Sequence, residues 1–165
     1  KNNESTNFVK KTLNYFIAKK YRKGVLDELI STYFPSEKDL VKEYYMSKTE
    51  LLHMHESGMI LGSHSVNHPV MSKLSKNKQS WEISTSFDFL ESIVGKLRIR
   101  TYCHPYGGFH TFSNITEELL RKNSCLMSFN VEPRDIDDTD LSTRPHALPR
   151  YDCNEFPFGR CRNLD

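Results

Sequence analysis

Long apolar runs and an excess of one charge are both missing from this sequence. Hydrophobic residues make up 37% of its 165 residues, and no run approaches the roughly 18 apolar residues needed to span a membrane. The net charge of +2 is small and dispersed, so it predicts no binding to nucleic acid or to an anionic lipid surface. We therefore expect a globular protein without a membrane span, in keeping with a mean hydropathy of −0.62.

Closely spaced cysteine pairs are also missing. None of the four cysteines, Cys103, Cys125, Cys153 and Cys161, belongs to a pair separated by two residues. This spacing argues against a structural zinc site of the ribbon type. Cys153 and Cys161 would close a small loop in an oxidising compartment, and free thiols are the alternative. The cysteines therefore leave the compartment open.

The length predicts a single domain over residues 1–165. A chain of this size buries roughly 70% of its unfolded surface, so it needs no disulfide or metal in order to fold. The first residues are polar, unlike a signal peptide, and there is no initiator methionine. We expect a processed or trimmed piece of a longer protein.

Helical and strand patterns alternate along the chain. Apolar spacings of three and four predict one or two helices over 6–30, and further helices over 47–57, 79–94 and 114–123. Short apolar runs predict strands over 59–63, 98–103 and 125–132, before a charged loop over 132–140 and an extended stretch over 144–152. Helices between strands are typical of an α/β fold with a mostly parallel sheet.

The helix predicted over 47–57 has a recognisable beginning and end. Ser47 and Glu50 have the spacing of a capping box, and Gly58 stands where a helix ends. His53 and His55 lie two positions apart within it, so their side chains do not face each other. We expect these two histidines to be solvated surface residues.

Another pair of histidines has a different setting. His64 and His68 come just after the end of the strand predicted over 59–63. The carboxyl ends of strands are where α/β proteins place their sites. If the chain turns helically there, a spacing of four puts both imidazoles on one face, close enough to share a metal ion. Two ordinary polar residues at a strand end are the alternative.

The neighbouring motifs, taken together, resemble one family. GSHSVNHP at 62–69 is followed by Pro105, Tyr106 and Gly107 and then by LPRYD at 148–152. This order resembles the polysaccharide deacetylases, carbohydrate esterase family 4, and the resemblance is strongest over 44–152. It implies an irregular (β/α) barrel with fewer than eight strands. It also implies a metal-dependent hydrolase that removes acetyl groups from N-acetylated sugars of a polysaccharide or glycan, using a metal-bound water.

The same resemblance implies roles for individual residues. His64 and His68 would be two of the three protein ligands of a divalent metal, most often zinc. Pro105, Tyr106 and Gly107 would form one wall of the substrate groove. The backbone N–H of Tyr106 would also help to hold the tetrahedral oxyanion, which needs a fixed donor rather than a particular side chain.

Two further roles fall near the end of the chain. Arg150 would orient the carboxylate that acts as the catalytic base, with a surface ion pair as the alternative. His146 is the nearest candidate for the general acid. His104 lies beside the turn at Pro105, and we expect it to face away from the site.

One part of the family pattern is absent. The first motif of the family carries two neighbouring aspartates, one the base and one the third metal ligand. Asp27 and Glu28 are the only adjacent acidic pair before Gly58, and they lie in helical sequence, so we do not assign them this role. We expect an N-terminally truncated barrel with an exposed strand edge, which the helix predicted over 6–30 would cover.

Three functions remain open at this stage. The chain is a piece of a metal-dependent deacetylase, a catalytically inactive domain that binds carbohydrate, or an unrelated α/β interaction domain. The joint match of motifs disfavours the third. The glycan is open too, since peptidoglycan, chitin-like oligomers, surface polysaccharide and lipid-linked sugars all carry acetamides.

Overall fold

The first third of the chain is helical. The computed structural model describes residues 3–34, 36–152 and 155–156, and its contacts divide into two compact units, Lys1–Ser47 and Lys48–Asp165. The first unit contains α1 (Glu4–Lys11), α2 (Lys19–Tyr33) and α3 (Glu37–Tyr44), with a short π-helical stretch over Thr12–Phe16. The pattern over 6–30 is thus a pair of helices. The prediction of a single domain over 1–165 stays a prediction, as does the expectation that these helices cover a strand edge.

The second unit alternates helices with two short strands. Its helices are α4 (Lys48–Glu56), α5 (Lys76–Val94), α6 (Asn114–Lys122) and α7 (Asp138–Thr143), with a 3-10 turn over Met71–Lys73. Its strands are β1 (Arg100–Cys103) and β2 (Cys125–Phe129). No helix within the described residues is long and apolar enough to cross a membrane.

The predicted helix ends are confirmed in this unit. Residue 58 follows α4 with φ +90, and residue 95 follows α5 with φ +76, so both positions take the left-handed conformation that glycine adopts without strain. α5 begins three residues earlier than its apolar pattern, because Ser75 has the extended backbone of a residue that precedes a helix.

The charged stretch over 132–140, predicted as a loop, contains the start of α7. Asp137 caps this helix by accepting from the backbone N–H of Asp140 at 2.9 Å, and the Asp140 carboxylate accepts from the N–H of Asp137 at 3.1 Å. The Arg134 guanidinium binds both Asp140 oxygens at 2.6 Å and lowers the pKa of that carboxyl to about 2. Two aspartates of the predicted loop therefore cap a helix.

The strands are parallel and neighbour one another in chain order. β1 pairs with β2 in a register that places Tyr102 opposite Ser128. Ser63 forms a parallel bridge to Tyr102, and Leu148 forms one to Phe129. The α/β prediction is confirmed. Over the described ranges the sheet has two strands flanked by single bridges, so the barrel itself stays a prediction.

Residues of α5, α6 and both strands share one hydrophobic core. Met71, Ile83, Phe87, Tyr102 and Leu120 have no exposed surface and form the centre of the core. Arg100 at the start of β1 binds Glu91 of α5 at 2.9 Å. This packing fixes β1, and with it the loops that leave its carboxyl end.

Two histidines lie inside this core. His104 is 1% exposed, stacks on Phe112 with ring centroids 3.7 Å apart, and donates from Nε2 to the carbonyl of His146 at 2.9 Å. Ser128 Oγ donates to the same carbonyl at 2.5 Å. Burial lowers the pKa of His104 to about 4, so the ring is neutral at physiological pH. The expectation that His104 faces away from the site agrees with this placement.

The buried His104 predicts a pH-dependent stability. Its folded pKa lies below the unfolded value, so protons favour the unfolded chain, and the stabilisation is complete above about pH 6.5 and lost towards pH 4. Between pH 7 and pH 5 the free energy of unfolding should fall by about 2 kcal/mol from this group. Urea unfolding at both pH values measures the fall. A His104→Phe variant should show a smaller fall, and an unchanged pH dependence in that variant would contradict the assignment.

Candidate functional site

The first histidine of the pair is held by a neighbouring strand. Ser63 N–H donates to Thr101 O, and Cys103 N–H donates to Ser63 O, both at 2.9 Å, so residue 64 leaves the sheet beside the end of β1. There His64 Nδ1 donates to the carbonyl of Cys103 at 2.8 Å. This bond fixes the ring orientation and directs Nε2 away from the strand, as in histidines that ligate metals.

Three of the predicted site residues come together at this edge. The rings of His64 and His68 meet edge to face with centroids 4.8 Å apart. The ring of His68 meets that of Tyr106 in the same manner at 4.6 Å. Both histidines are exposed. A cluster of two imidazoles and a phenol therefore opens to solvent at the carboxyl end of β1.

The two histidines do not meet through a helical turn, which the spacing of four had suggested. Ser65 and His68 have φ of +66° and +48°, in the left-handed region, and His68 N–H donates to Ser65 Oγ at 3.0 Å. Tyr106 is also left-handed, with φ +63°. Strained backbone of this kind clusters at functional sites. Of the four non-glycine residues with positive φ in the described ranges, only Ser124 lies outside these two loops.

A buried carboxylate holds the histidine loop from below. Glu82 on α5 is 4% exposed, and its Oε2 accepts from the backbone N–H groups of Val66 and Asn67 at 3.0 and 2.9 Å. Its Oε1 accepts from Asn67 Nδ2 at 2.9 Å. Sequence reasoning missed this role, because backbone donors have no sequence signature.

The predicted groove wall is fixed by close packing. Pro105 is buried, and its carbonyl accepts from Thr111 Oγ1 at 3.1 Å. Thr111 Oγ1 also donates to Gly108 O at 2.7 Å. Beyond this turn, Phe109 and Phe112 both lie under the Arg144 guanidinium, 5.1 and 5.9 Å from its central carbon. The backbone around Tyr106 is thus held on the α6 side of the site.

Arg150 also lies near β1. Its guanidinium binds the carboxylate of Asp152, and its backbone N–H donates to Glu132 O at 3.1 Å. Burial raises the pKa of the Cys103 thiol, and the positive charge of Arg150 opposes this effect. The carboxylate that Arg150 orients in the described chain is therefore that of Asp152, two residues away.

Cys153 and Cys161, which were predicted to close a small loop in an oxidising compartment, lie outside the described residues.

The structure does not bring His146 to the cluster. Its Nε2 donates to the carbonyl of Cys125 at 2.9 Å, and the side chain is buried. Cys125 begins β2, whereas His64 and Tyr106 lie where the parallel segments end. The stretch over 144–152 was predicted to be extended, but His146 lies in a turn closed by the bond from Ala147 N–H to Arg144 O at 3.0 Å, and its ring lies in the core.

The imidazoles fit two positions of a metal site but do not complete one. Imidazole nitrogen is a common zinc ligand, and the bond from His64 Nδ1 leaves Nε2 available for a metal. Catalytic zinc usually has three protein ligands. Over the ranges that the structure describes, no group of three or more His, Cys, Asp or Glu side chains is placed to hold an ion.

An open cavity of about 450 Å³ adjoins His64. One side is formed by the segment from Gly62 to Val66, and the other by four residues of α5: Thr85, Ser86, Phe89 and Leu90. No backbone hydrogen bond joins Gly62 to another segment among the residues described. Among the described residues, the segment that leads to the histidines is therefore unpaired at Gly62.

Comparison with known proteins assigns the chain to a family. The model of the polysaccharide deacetylase family matches residues 26–124, more than half of the sequence. This chain is a polysaccharide deacetylase family member. The resemblance inferred from the motifs at 62–69 and 105–107 is therefore confirmed. No curated protein matches the sequence significantly.

Solved structures of other deacetylases share the fold. The Streptococcus pyogenes deacetylase PplD in complex with acetate is 19% identical, with a TM-score of 0.58 over 65% of this chain and 44% of that one. A Bacillus cereus polysaccharide deacetylase is 19% identical, with a TM-score of 0.55 over 65% of this chain and 32% of its own. The BpsB deacetylase domain from Bordetella bronchiseptica is 16% identical, with a TM-score of 0.50 over 66% of this chain and 49% of that one. The chain spans less than half the length of each.

The turn at Pro105, Tyr106 and Gly107 of this deacetylase-family chain should not tolerate a side chain at Gly107. Gly107 has φ +69, and a Cβ there would lie 2.3 Å from Val131 Cγ1 and 3.1 Å from Val131 N. Gly58 has φ +90 and no neighbour within 4 Å, so it isolates the backbone cost. Gly107→Ala should lower the free energy of unfolding by about 3 kcal/mol and Gly58→Ala by about 1 kcal/mol. Urea unfolding measures both, and equal losses would contradict the close approach.

Proposed function

We propose that this chain is the part of a metal-dependent N-deacetylase that binds the metal and the sugar acetamide. The substrate class is an N-acetylated sugar of a polysaccharide or glycan. The observation that carries the proposal is the cluster of His64, His68 and Tyr106, with His64 Nδ1 bound to the carbonyl of Cys103. Membership of the deacetylase family supports the same reaction.

His64, through Nε2, and His68 would hold the metal. Zinc is the ion we propose, because imidazole is among its usual ligands. When bound, such an ion polarises a carbonyl and lowers the pKa of a water molecule to near neutrality. The third ligand would be a carboxylate, and none is placed beside the two histidines among the described residues.

The remaining roles belong to the groove wall. Pro105, Tyr106 and Gly107 would contact the sugar, and the N–H of Tyr106 would donate to the oxygen that gains charge during hydrolysis. Tyr106 is left-handed and the next residue, Gly107, lies closely against Val131, so the donor would be kept in one place and no reorganisation would be required at the moment of reaction. Arg150 would hold a carboxylate near this edge.

A second function is favoured by one observation. Because no three ligating side chains converge among the described residues, a domain that binds carbohydrate without hydrolysing it also fits the site. Loss of a general base alone removes about 10²–10⁴-fold of rate. Binding and hydrolysis must therefore be measured separately.

The metal is tested by its content in purified protein. After incubation with zinc and removal of the excess, the wild-type chain should retain about one equivalent, and His64→Ala/His68→Ala should retain little, because two imidazole ligands are lost. His53→Ala/His55→Ala on α4 is the matched control and should retain the wild-type amount. An absence of zinc in the wild type, or equal loss in both variants, would refute the assignment.

The chemistry is tested by acetate release from an N-acetylated oligosaccharide with zinc present. We expect acetate from the wild type and at least about 100-fold less from His64→Ala, because the ligand is lost. Sugar binding in the same samples, followed by calorimetry, separates the two functions. Saturable sugar binding with no acetate above the buffer rate would support the binding domain and reject the enzyme.

A further inference from the structure

We infer that Glu82 is the positioning residue for the two histidines. Rather than ligating a metal, it would hold the loop from His64 to His68 in the conformation in which both imidazoles face one ion. The inference rests on the proposed function, because it concerns the same candidate metal site. It concerns a residue on α5, away from the histidine motif in sequence.

Both oxygens of the Glu82 carboxylate are committed to this loop. Oε2 accepts from the N–H groups of Val66 and Asn67, and Oε1 accepts from the Asn67 side-chain amide, all between 2.9 and 3.0 Å. Hydrogen bonds to a charged acceptor are about twice as strong as neutral ones. The three bonds hold Val66 and Asn67, which lie between the two histidines in sequence.

The support of Glu82 is itself rigid. Ile83, the next residue of α5, is fully buried, and so is Phe87 one turn further on. Ser86 on the same helix lies 2.6 Å, oxygen to oxygen, from Ser63, which precedes His64. α5 therefore contacts both the entry to the loop, through Ser86, and its centre, through Glu82, which is itself 4% exposed.

The loop needs such support because its backbone is strained. Ser65 and His68 both have left-handed backbone. Because this backbone conformation is unfavourable for residues other than glycine, the loop would rarely adopt it without support. The N–H groups of Val66 and Asn67 point towards Glu82, which is 4% exposed, so its removal would leave two backbone donors without their acceptor. Without Glu82 the turn should relax to a commoner conformation, and the separation of the two imidazoles should change.

A glutamine at this position should restore much of the effect. Its oxygen can accept from both backbone N–H groups, and its NH₂ can donate to Asn67 once that side-chain amide rotates by half a turn. Alanine offers neither group. The pair Glu82→Ala and Glu82→Gln therefore separates loss of the hydrogen bonds from loss of charge.

Glu117 is a matched control for a buried carboxylate without this role. It is 8% exposed on α6, and its carboxylate accepts from Arg144 at 2.6 Å. Its partners lie away from the histidine loop. Glu117→Ala should therefore destabilise the fold by a mechanism similar to that of Glu82→Ala, while leaving the histidine loop intact.

The test is zinc affinity by competition with a chelating dye, together with the visible absorption of bound Co²⁺. Outer-shell changes typically cost about 10–100-fold in metal affinity, and we expect a loss of that size in Glu82→Ala, with an altered Co²⁺ spectrum. Glu82→Gln should bind within about threefold of wild type, and so should Glu117→Ala. Should Glu82→Ala fail to fold, Asn67→Ala removes one of the three bonds and should weaken zinc by several-fold.

The outcomes separate the inference from the proposed function. Tight zinc binding by wild type and by folded Glu82→Ala or Asn67→Ala, with identical Co²⁺ spectra, overturns the inference alone. Equal weakening in Glu117→Ala also overturns it, because a general loss of stability would then explain the result. Failure of the wild type to bind either ion overturns the proposed function and the inference with it.

Discussion

The bond from His64 Nδ1 to the carbonyl of Cys103 is the contact on which the rest of the site depends. It joins a side chain from one parallel segment to the backbone of the next, so the imidazole is placed by the sheet itself. The sheet register that makes it possible is the bridge from Ser63 to Tyr102. Because Tyr106 follows the end of the same strand, that register also brings the Tyr106 ring to the histidines.

The pairing of segments depends in turn on close backbone approach. A Cβ at Gly62 would lie 2.6 Å from Thr101 Oγ1 and 3.3 Å from the Thr101 carbonyl, so a larger residue would push the segment away from β1. Any such displacement would lengthen the His64 bond. Gly62 therefore contributes to the site because the absence of a Cβ lets the segment approach β1 closely.

The sequence predicts the members of the site better than their geometry. His64, His68 and Tyr106 are recognisable because their motifs are local, and the helices near them follow from apolar spacing and capping residues. The left-handed turn is not predictable from Ser65, a residue with no special preference for that conformation. The role of Glu82 was missed because its partners include two backbone amides. The placement of His146 was not predictable, because it depends on a turn between Arg144 and Ala147 within a stretch predicted to be extended.

The two sides of the site rest on different helices. The histidine loop is fastened to α5 through Glu82, whereas the turn after β1 is fastened by Thr111 and by the packing of Phe109 and Phe112 under Arg144, itself bound to α6. Substitutions at sites without shared partners have nearly additive effects. Substitutions at Phe109 or Phe112 should therefore leave the Glu82 bonds in place, whereas a change at Tyr106, whose ring meets that of His68 at 4.6 Å, would reach both sides of the site.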